Sequence, residues 1–200
     1  MANLHLVTGY KGQSHVAAED HGSLNAAIVG SGNYVLNRGS QFAATVISSN
    51  TIRISGGDLL IQGRHTRLGG GAFVDLAIDN GTQGNKRNDL IVCRYTKNSS
   101  TGVEDCNLVV IKGTETTGTA VDPDYSTGDI LDSADAQVDF PLWRIPLDGL
   151  TVGTPVQLFK VVNPINASNS QYTVLVEGVD FGDELPDEAP LGRLFFKKVT

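Results

Sequence analysis

The side chains best suited to chemistry in this sequence are its four histidines, its two cysteines and the aspartates crowded between residues 122 and 139. Metal binding would need clustered ligands, and only His15, Glu19 and His21 are near neighbours. On a helix His15 and Glu19 would share a face at i, i+4. His21 would point elsewhere, and the His-Glu-x-x-His spacing of zinc proteases is absent. These residues are expected to cap and solvate a turn, so no metal site is assigned. Gly30-Ser31-Gly32 lacks the frame of a Gly-x-Ser-x-Gly elbow, and Gly39-Ser40-Gln41 reads as a turn. Cys93 falls inside an expected strand, not in the electropositive, exposed setting that activates a thiolate. No glycine-rich loop runs into Gly-Lys-Thr or opens a helix after a strand, so no cofactor is expected and no catalytic residue is assigned.

Asp122, Asp124, Asp129, Asp132, Asp135 and Asp139 raise a different possibility, because a glycosidase needs only two carboxylates at a fixed separation. Carbohydrate work also wants exposed aromatic rings. One Trp, five Tyr and seven Phe are few enough for the core to use them. A solvated acidic loop is therefore the expected reading of the aspartates.

The elements that must position these residues are mostly β-strands, since Gly, Pro, Asn, Asp, Ser and Thr interrupt nearly every stretch before it reaches helical length. One short helix is expected over residues 20–29, with Asp20 as N-cap and Leu24, Ala27 and Ile28 on its apolar face. Short β-branched runs follow at 44–47, 51–54, 59–62, 73–78, 90–95 and 108–112. Ile52 and Ile54 should face inward and Arg53 outward. Gly69-Gly70-Gly71 and Asn80-Gly81 read as hairpin turns, because both tolerate positive φ. The fold class expected is mainly β, with small sandwich or barrel-like β-domains and one short N-terminal helix.

Residues 88–112 predict a hairpin in which position i faces 199 − i, so that Cys93 meets Cys106, Ile91 meets Leu108 and Arg94 meets Asp105. The cysteines should then be close in space yet reduced. Residues 113–137 read as a surface excursion with little structure of its own. Pro141 and Pro146 confine the run 140–147 to a sheet edge. A strand pair is expected at 156–162 and 172–176. A charge reversal follows, from an acidic stretch at 180–188 to Arg193, Lys197 and Lys198. The regions expected are 1–80, rich in β-structure with the helix; 81–163, built on the hairpin; and 164–200, a C-terminal β segment and docking element.

Composition bounds function. Fifteen Lys and Arg against 22 Asp and Glu give a formal charge of −7, a field that repels phosphate backbones and anionic headgroups. Nucleic acid is not an expected partner. No segment approaches the length of a membrane span, and the start lacks a basic region followed by an apolar run, so no span and no cleaved signal are expected. Two cysteines without zinc spacing fit synthesis in a reducing cytoplasm.

Four runs carry a resemblance by their order: Asn85-Lys86-Arg87-Asn88-Asp89-Leu90-Ile91-Val92-Cys93-Arg94-Tyr95, then Val109-Val110-Ile111-Lys112-Gly113-Thr114, then Ala120-Val121-Asp122-Pro123-Asp124-Tyr125, then Pro141-Leu142-Trp143-Arg144-Ile145-Pro146-Leu147-Asp148-Gly149-Leu150. An Arg-x-Asp strand with a second Arg, a Gly-Thr strand end, an Asp-Pro turn and a Pro-Leu strand resemble tail-tip and baseplate structural proteins of long-tailed phages and prophages of Gram-positive bacteria. Val7-Thr8-Gly9-Tyr10-Lys11-Gly12, His15-Val16 and Gly30-Ser31-Gly32-Asn33-Tyr34-Val35-Leu36 are similar to the opening of such proteins. Gly182-Asp183-Glu184-Leu185-Pro186 and Gly192-Arg193-Leu194-Phe195-Phe196 are similar to a segment of fibre and baseplate proteins.

The resemblance implies a virion component, made in the bacterial host cytoplasm and resident in the tail. It implies no enzymatic activity, and self-association as a trimer on a symmetry axis. Other tail or baseplate proteins are the implied partners, with host surface glycan a further one. Arg193, Leu194, Phe195 and Phe196 are the expected docking residues, because successive apolar side chains there leave one strand face to be covered. The competing expectation is a carbohydrate-binding or glycan-hydrolysing module acting on host cell-wall saccharide.

Overall fold

The structure, a computed structural model, describes residues 17–133, 135–164, 180–182 and 195–197. Among the described residues it is β-rich, with two curled five-stranded sheets before residue 164 and a single short N-terminal helix.

Helix α1 (Ala18–Val29) starts two residues earlier than expected. Ala17 is its N-cap, and Asp20 reaches back from the third helical position to accept the Ala17 N–H at 3.2 Å. A carboxylate there also meets the positive end of the helix dipole. The face expected to be buried is turned outward: Leu24 and Ile28 are each 57% exposed, and Gly22 is the buried residue. The reason lies in the turn it covers. Asn25 donates to the Gly63 carbonyl at 2.9 Å, which fixes the rotation of the helix by a polar contact instead of by its apolar stripe.

The first sheet holds β1 (Asn33–Gly39), β2 (Ala44–Ser48), β3 (Thr51–Ile61), β4 (Arg64–Ala77) and, from far along the chain, β10 (Val161–Val162). Two runs expected as separate strands, 51–54 and 59–62, are halves of the single strand β3. Ile52 and Ile54 are buried before the register break at Ser55/Gly57, and Leu59 and Ile61 after it. The inward parity changes from even to odd, so the bulge keeps both halves on the core. Gly56 permits it, because a Cβ there would collide with the Gly69 carbonyl.

Gly69-Gly70-Gly71 is therefore not a hairpin turn. It lies within β4, in the stretch between the paired residues Leu68 and Phe73 that bulges opposite Gly56. The β3–β4 turn is Gln62-Gly63, with φ of 46° and 83° between the paired residues Ile61 and Arg64. Two positive φ values in a two-residue loop match the twist of the flanking strands. Asn80-Gly81 is no hairpin turn either, since it lies in the connection between β4 and the second sheet.

That sheet contains β5 (Lys86–Lys97), β6 (Glu104–Ile111), β7 (Gln137–Asp148), β8 (Thr151–Val152) and β9 (Val156–Gln157). The β5–β6 hairpin exists, two residues out of the expected register: Cys93 faces Leu108, Tyr95 faces Cys106 and Arg94 faces Asn107. Asn98 sets the loop, residues 98–103 in place of 97–102, its side chain accepting the Ser100 and Thr101 N–H groups, with Gly102 at φ 70°. A two-residue slip leaves every side chain on its expected face, so the core is unaffected. The ion pair is not where it was expected, because Arg94 pairs with Asp139 on β7 instead of with Asp105.

Strand β7 is not an edge, despite its prolines. It pairs with β5 along one side and with the short β8 and β9 on the other. The Pro146 carbonyl accepts Gly153 N–H, so the nitrogen without hydrogen faces the broken side, where no ladder bond is lost. Residues 156–162 split between sheets, β9 beside β7 and β10 parallel to β1, so they do not start a hairpin. The 172–176 run lies outside the described residues. Up to the start of β7 at Gln137, the described residues of the 113–137 excursion carry no strand and only an isolated bridge at Thr116, although Ile130 is buried. The inner faces share one core, including Ile52, Leu59, Ile91, Tyr95, Leu142 and Ile145. In residues 164–200, a separate compact unit, β11 (Asp180–Gly182) pairs in parallel with β12 (Phe195–Lys197).

Candidate functional site

Two constellations of polar side chains emerge. The first gathers the four runs that carry the phage resemblance. Arg87 and Asp89, two apart on β5, share a face and are each about 1% exposed at the side chain. Arg87 donates through Nε and Nη2 to the Asp89 oxygens at 2.8 and 3.1 Å, through Nη1 to Glu115 at 3.0 Å, and through Nη2 to the Asp79 carbonyl at 2.6 Å. Asp89 also accepts the Gly113 N–H at 2.9 Å, which joins the second run to the first. Asn88, on the opposite face, donates to Asp122 at 2.9 Å, and Arg144 of the fourth run grips the same carboxylate with two bonds of 2.5 Å. The Arg144 guanidinium holds Asp122 below the usual carboxylate range against the opposing effect of burial, and Asn88 adds to it. Arg94 binds Asp139 at 2.6 and 2.9 Å, and Asp139 accepts Ser126 N–H at 2.9 Å.

The arrangement laces the 113–137 excursion onto the second sheet. Asp129 and Asp135 act in the same way within the loop. Asp129 accepts the N–H groups of Leu131 and Asp132, and Asp135 accepts that of Asp129. Charge pairing and loop capping thus occupy four of the six carboxylates that the sequence left open to glycoside chemistry, those of Asp122, Asp129, Asp135 and Asp139.

The second constellation lines a cleft of about 480 Å³ where β4 approaches β6 and α1 crosses over. Arg64, His65 and Thr66 of β4 and Glu104, Asp105 and Cys106 of β6 line the cleft, with Tyr95 of β5 and His21 of α1. Arg64 spans the sheets to Glu104 with bonds of 2.9 and 3.2 Å. Its Nη1 and the Tyr95 hydroxyl are buried without a hydrogen-bond partner. Burial, with Glu104 nearby, pushes the Tyr95 phenol up to about 12. Cys93 and Cys106 are neighbouring thiols, and that interaction, with the Thr66 hydroxyl, draws Cys106 down to about 7 against burial and the Asp105 and Glu104 carboxylates. The same interaction and burial push Cys93 up.

Both cysteines are free thiols and lie close, as expected, through a diagonal and not a facing pair. His21 reaches the cleft, whereas Glu19 pairs with Lys97 at 3.0 Å, and His15 lies outside the described residues. Arg193 and Leu194 also lie outside them. Phe195 and Phe196 stand opposite Asp180 and Phe181 in the β12 pairing. Sequence reasoning placed Cys106 close to Cys93 and reduced but gave it no place in a cleft, although the alternation of 104, 106 and 108 put it on the core-facing side. Thr66 beside it comes from β4, an element with no local link to β6.

Among the described residues no three or more His, Cys, Asp and Glu side chains are grouped to hold a metal ion, and no helix is long and apolar enough to cross a membrane. Comparison of the chain with protein-family models and with curated protein sequences finds no match in either.

Proposed function

We propose that this protein is a structural component of a phage tail tip, baseplate or fibre assembly, made in the host cytoplasm and acting through protein–protein assembly, not catalysis. The observation that carries the reading is the Arg87–Asp89–Gly113 and Asn88–Asp122–Arg144 network. The residues behind the resemblance are the ones that bond to each other, at strand ends and across a long loop. Buried ion pairs of this kind add little net stability and hold a defined geometry, which suits a part that must dock on a symmetric neighbour. Exposed apolar side chains on α1 (Leu24, Ile28) and β2 (Val46, Ile47) support association with other copies or other tail proteins. Immunogold labelling of induced particles tests the proposal: label at the tail end is expected, and particles without label would sink it.

A glycan-binding role is favoured by one observation, a pocket of about 400 Å³ beside Asp122, lined by the half-exposed Tyr125 with Leu158, Pro141 and Asn33. Binding fits it better than hydrolysis. Asp122 is held ionised by Arg144 and has no proton to give a leaving group. Incubation with host cell-wall saccharide should retain the sugar without releasing reducing ends; released ends would favour an enzyme.

A further inference from the structure

One end of the first sheet has two open edges. There β3 pairs through residues 51–54 with β2 on one side and through residues 51–55 with residues 73–77 of β4 on the other. Among the described residues no strand pairs with the outer edge of either. We propose that copies of this chain join head to tail by strand addition, the outer edge of β2 in one copy lying against residues 73–77 of β4 in the next. The proposal rests on the self-association reading above and names the surface through which it acts.

The first support is the absence of any guard on β2. An open edge is a row of unpaired N–H and C=O groups, and proteins blunt it with charge, proline or a very short strand. Strands β8, β9 and β10 are two residues long, and β6 carries Glu104 and Asp105. From Gly39 to Ile52, by contrast, the chain has no charged residue and no proline. On the β4 stretch the one charge, Asp75, is gripped by Arg53 of its own sheet at 2.7 and 2.8 Å. Neither edge therefore brings an unpaired charge to the other.

Apolar surface lies open on both edges. Val46 stands opposite the fully buried Ile52 and so on the core side of the sheet, yet it is 40% exposed, and Ile47 and Phe73 are about half exposed. A strand added beside β2 extends the sheet over Val46.

The edges also match. Strand β2 is five residues long, the length of the β4 stretch, and both run antiparallel to β3, so they point the same way. Rotation about an axis along the strands keeps that direction and sets β2 parallel to the neighbour's β4. A contact between two different edges is heterologous and repeats until a ring closes. A second copy is the occupant because it supplies the complementary edge at the right length.

Ile47→Lys charges the β2 edge and Ala77→Lys the β4 edge, both at exposed positions. Native mass spectrometry and light scattering on the full chain read the assembly, and urea midpoints check folding. The parent should form a closed oligomer of more than two copies. Each variant alone should be monomeric, because a ring needs both edges of every copy. Mixed one to one at higher concentration, the variants should form a dimer and nothing larger, through the one intact β2 and the one intact β4. Thr45→Lys serves in place of Ile47→Lys if the latter lowers the urea midpoint.

An Ala77→Lys variant that still associates would mean that β2 pairs with β2, and the proposal fails. It fails equally if both variants assemble like the parent, if the mixture stays monomeric or if the parent is a monomer. Amides of residues 44–48 that face outward should exchange rapidly in the Ala77→Lys monomer; protection there would show another segment of the same chain on this edge, which also overturns the pairing. A ring in solution with unlabelled particles would sink the tail reading and leave the strand addition standing.

Discussion

Replacing Arg87 by Met would test whether the buried network holds the second sheet and its long loop together. The side chains of Arg87 and Asp89 are about 1% exposed, and the guanidinium makes four bonds, to Asp89 twice, to Glu115 and to the Asp79 carbonyl. Removing it strands a carboxylate in the interior with only the Gly113 N–H for company. Breaking one side of a buried pair costs about 3–5 kcal/mol, roughly a fifth or more of the stability of an ordinary domain. With a urea slope of about 2 kcal/mol per molar, the unfolding midpoint should fall by about 1.5–2.5 M. Arg87→Met combined with Asp89→Leu removes both charges and leaves the Gly113 N–H unpaired, a loss of about 1–3 kcal/mol. The double variant should therefore be more stable than Arg87→Met alone. Equilibrium urea unfolding followed by Trp143 fluorescence reads both. A single variant within about 1 kcal/mol of the parent, or a double variant as weak as the two singles added together, would refute the reasoning.

Gly63→Ala should destabilise by about 2 kcal/mol or more, because φ is 83° and a Cβ there would collide with the Gly22 carbonyl of α1. A calorimetric melting temperature lowered by about 4–8 °C is expected, and an unchanged one would show that α1 docks differently. Asp122 titrates below its unfolded value because of Arg144, so its contribution is complete above about pH 4 and is lost as pH falls through the lower folded value. Asp122→Asn should flatten that acid limb in unfolding curves, and an identical limb would count against the pair. Light scattering should find a trimer at micromolar concentration, and a monomer over about a hundredfold range would count against self-association.

Local chemistry was enough to place most strands in the sequence. Alternation at Ile52, Arg53 and Ile54 and the β-branched run 90–95 need only a buried face to become β-structure, and they do so. Asp20 marks the right end of the only described helix. Which face of that helix is buried was not legible, because the polar contact of Asn25 with Gly63, 38 residues away, overrides its weak apolar stripe. The glycine triplet illustrates the same limit. Tolerance of positive φ is a property of the residues, but whether it makes a turn or a bulge depends on Gly56 arriving opposite.

The hairpin register shows how narrow the gap can be. Cross-strand pairing chose the correct faces, while the Asn98 loop, whose side chain bonds to backbone two and three residues on, chose the offset. Charges were read as neighbours in sequence, yet Arg94 finds Asp139, 45 residues on, and Arg64 finds Glu104, 40 residues on. The cleft around Cys106 exists only where β4, β6 and α1 converge. Residue types and alternation determined which side chains would face inward and what chemistry they carry. Only the tertiary structure decided which of them meet, because long-range pairing depends on sheet curvature and loop length, which no local pattern encodes.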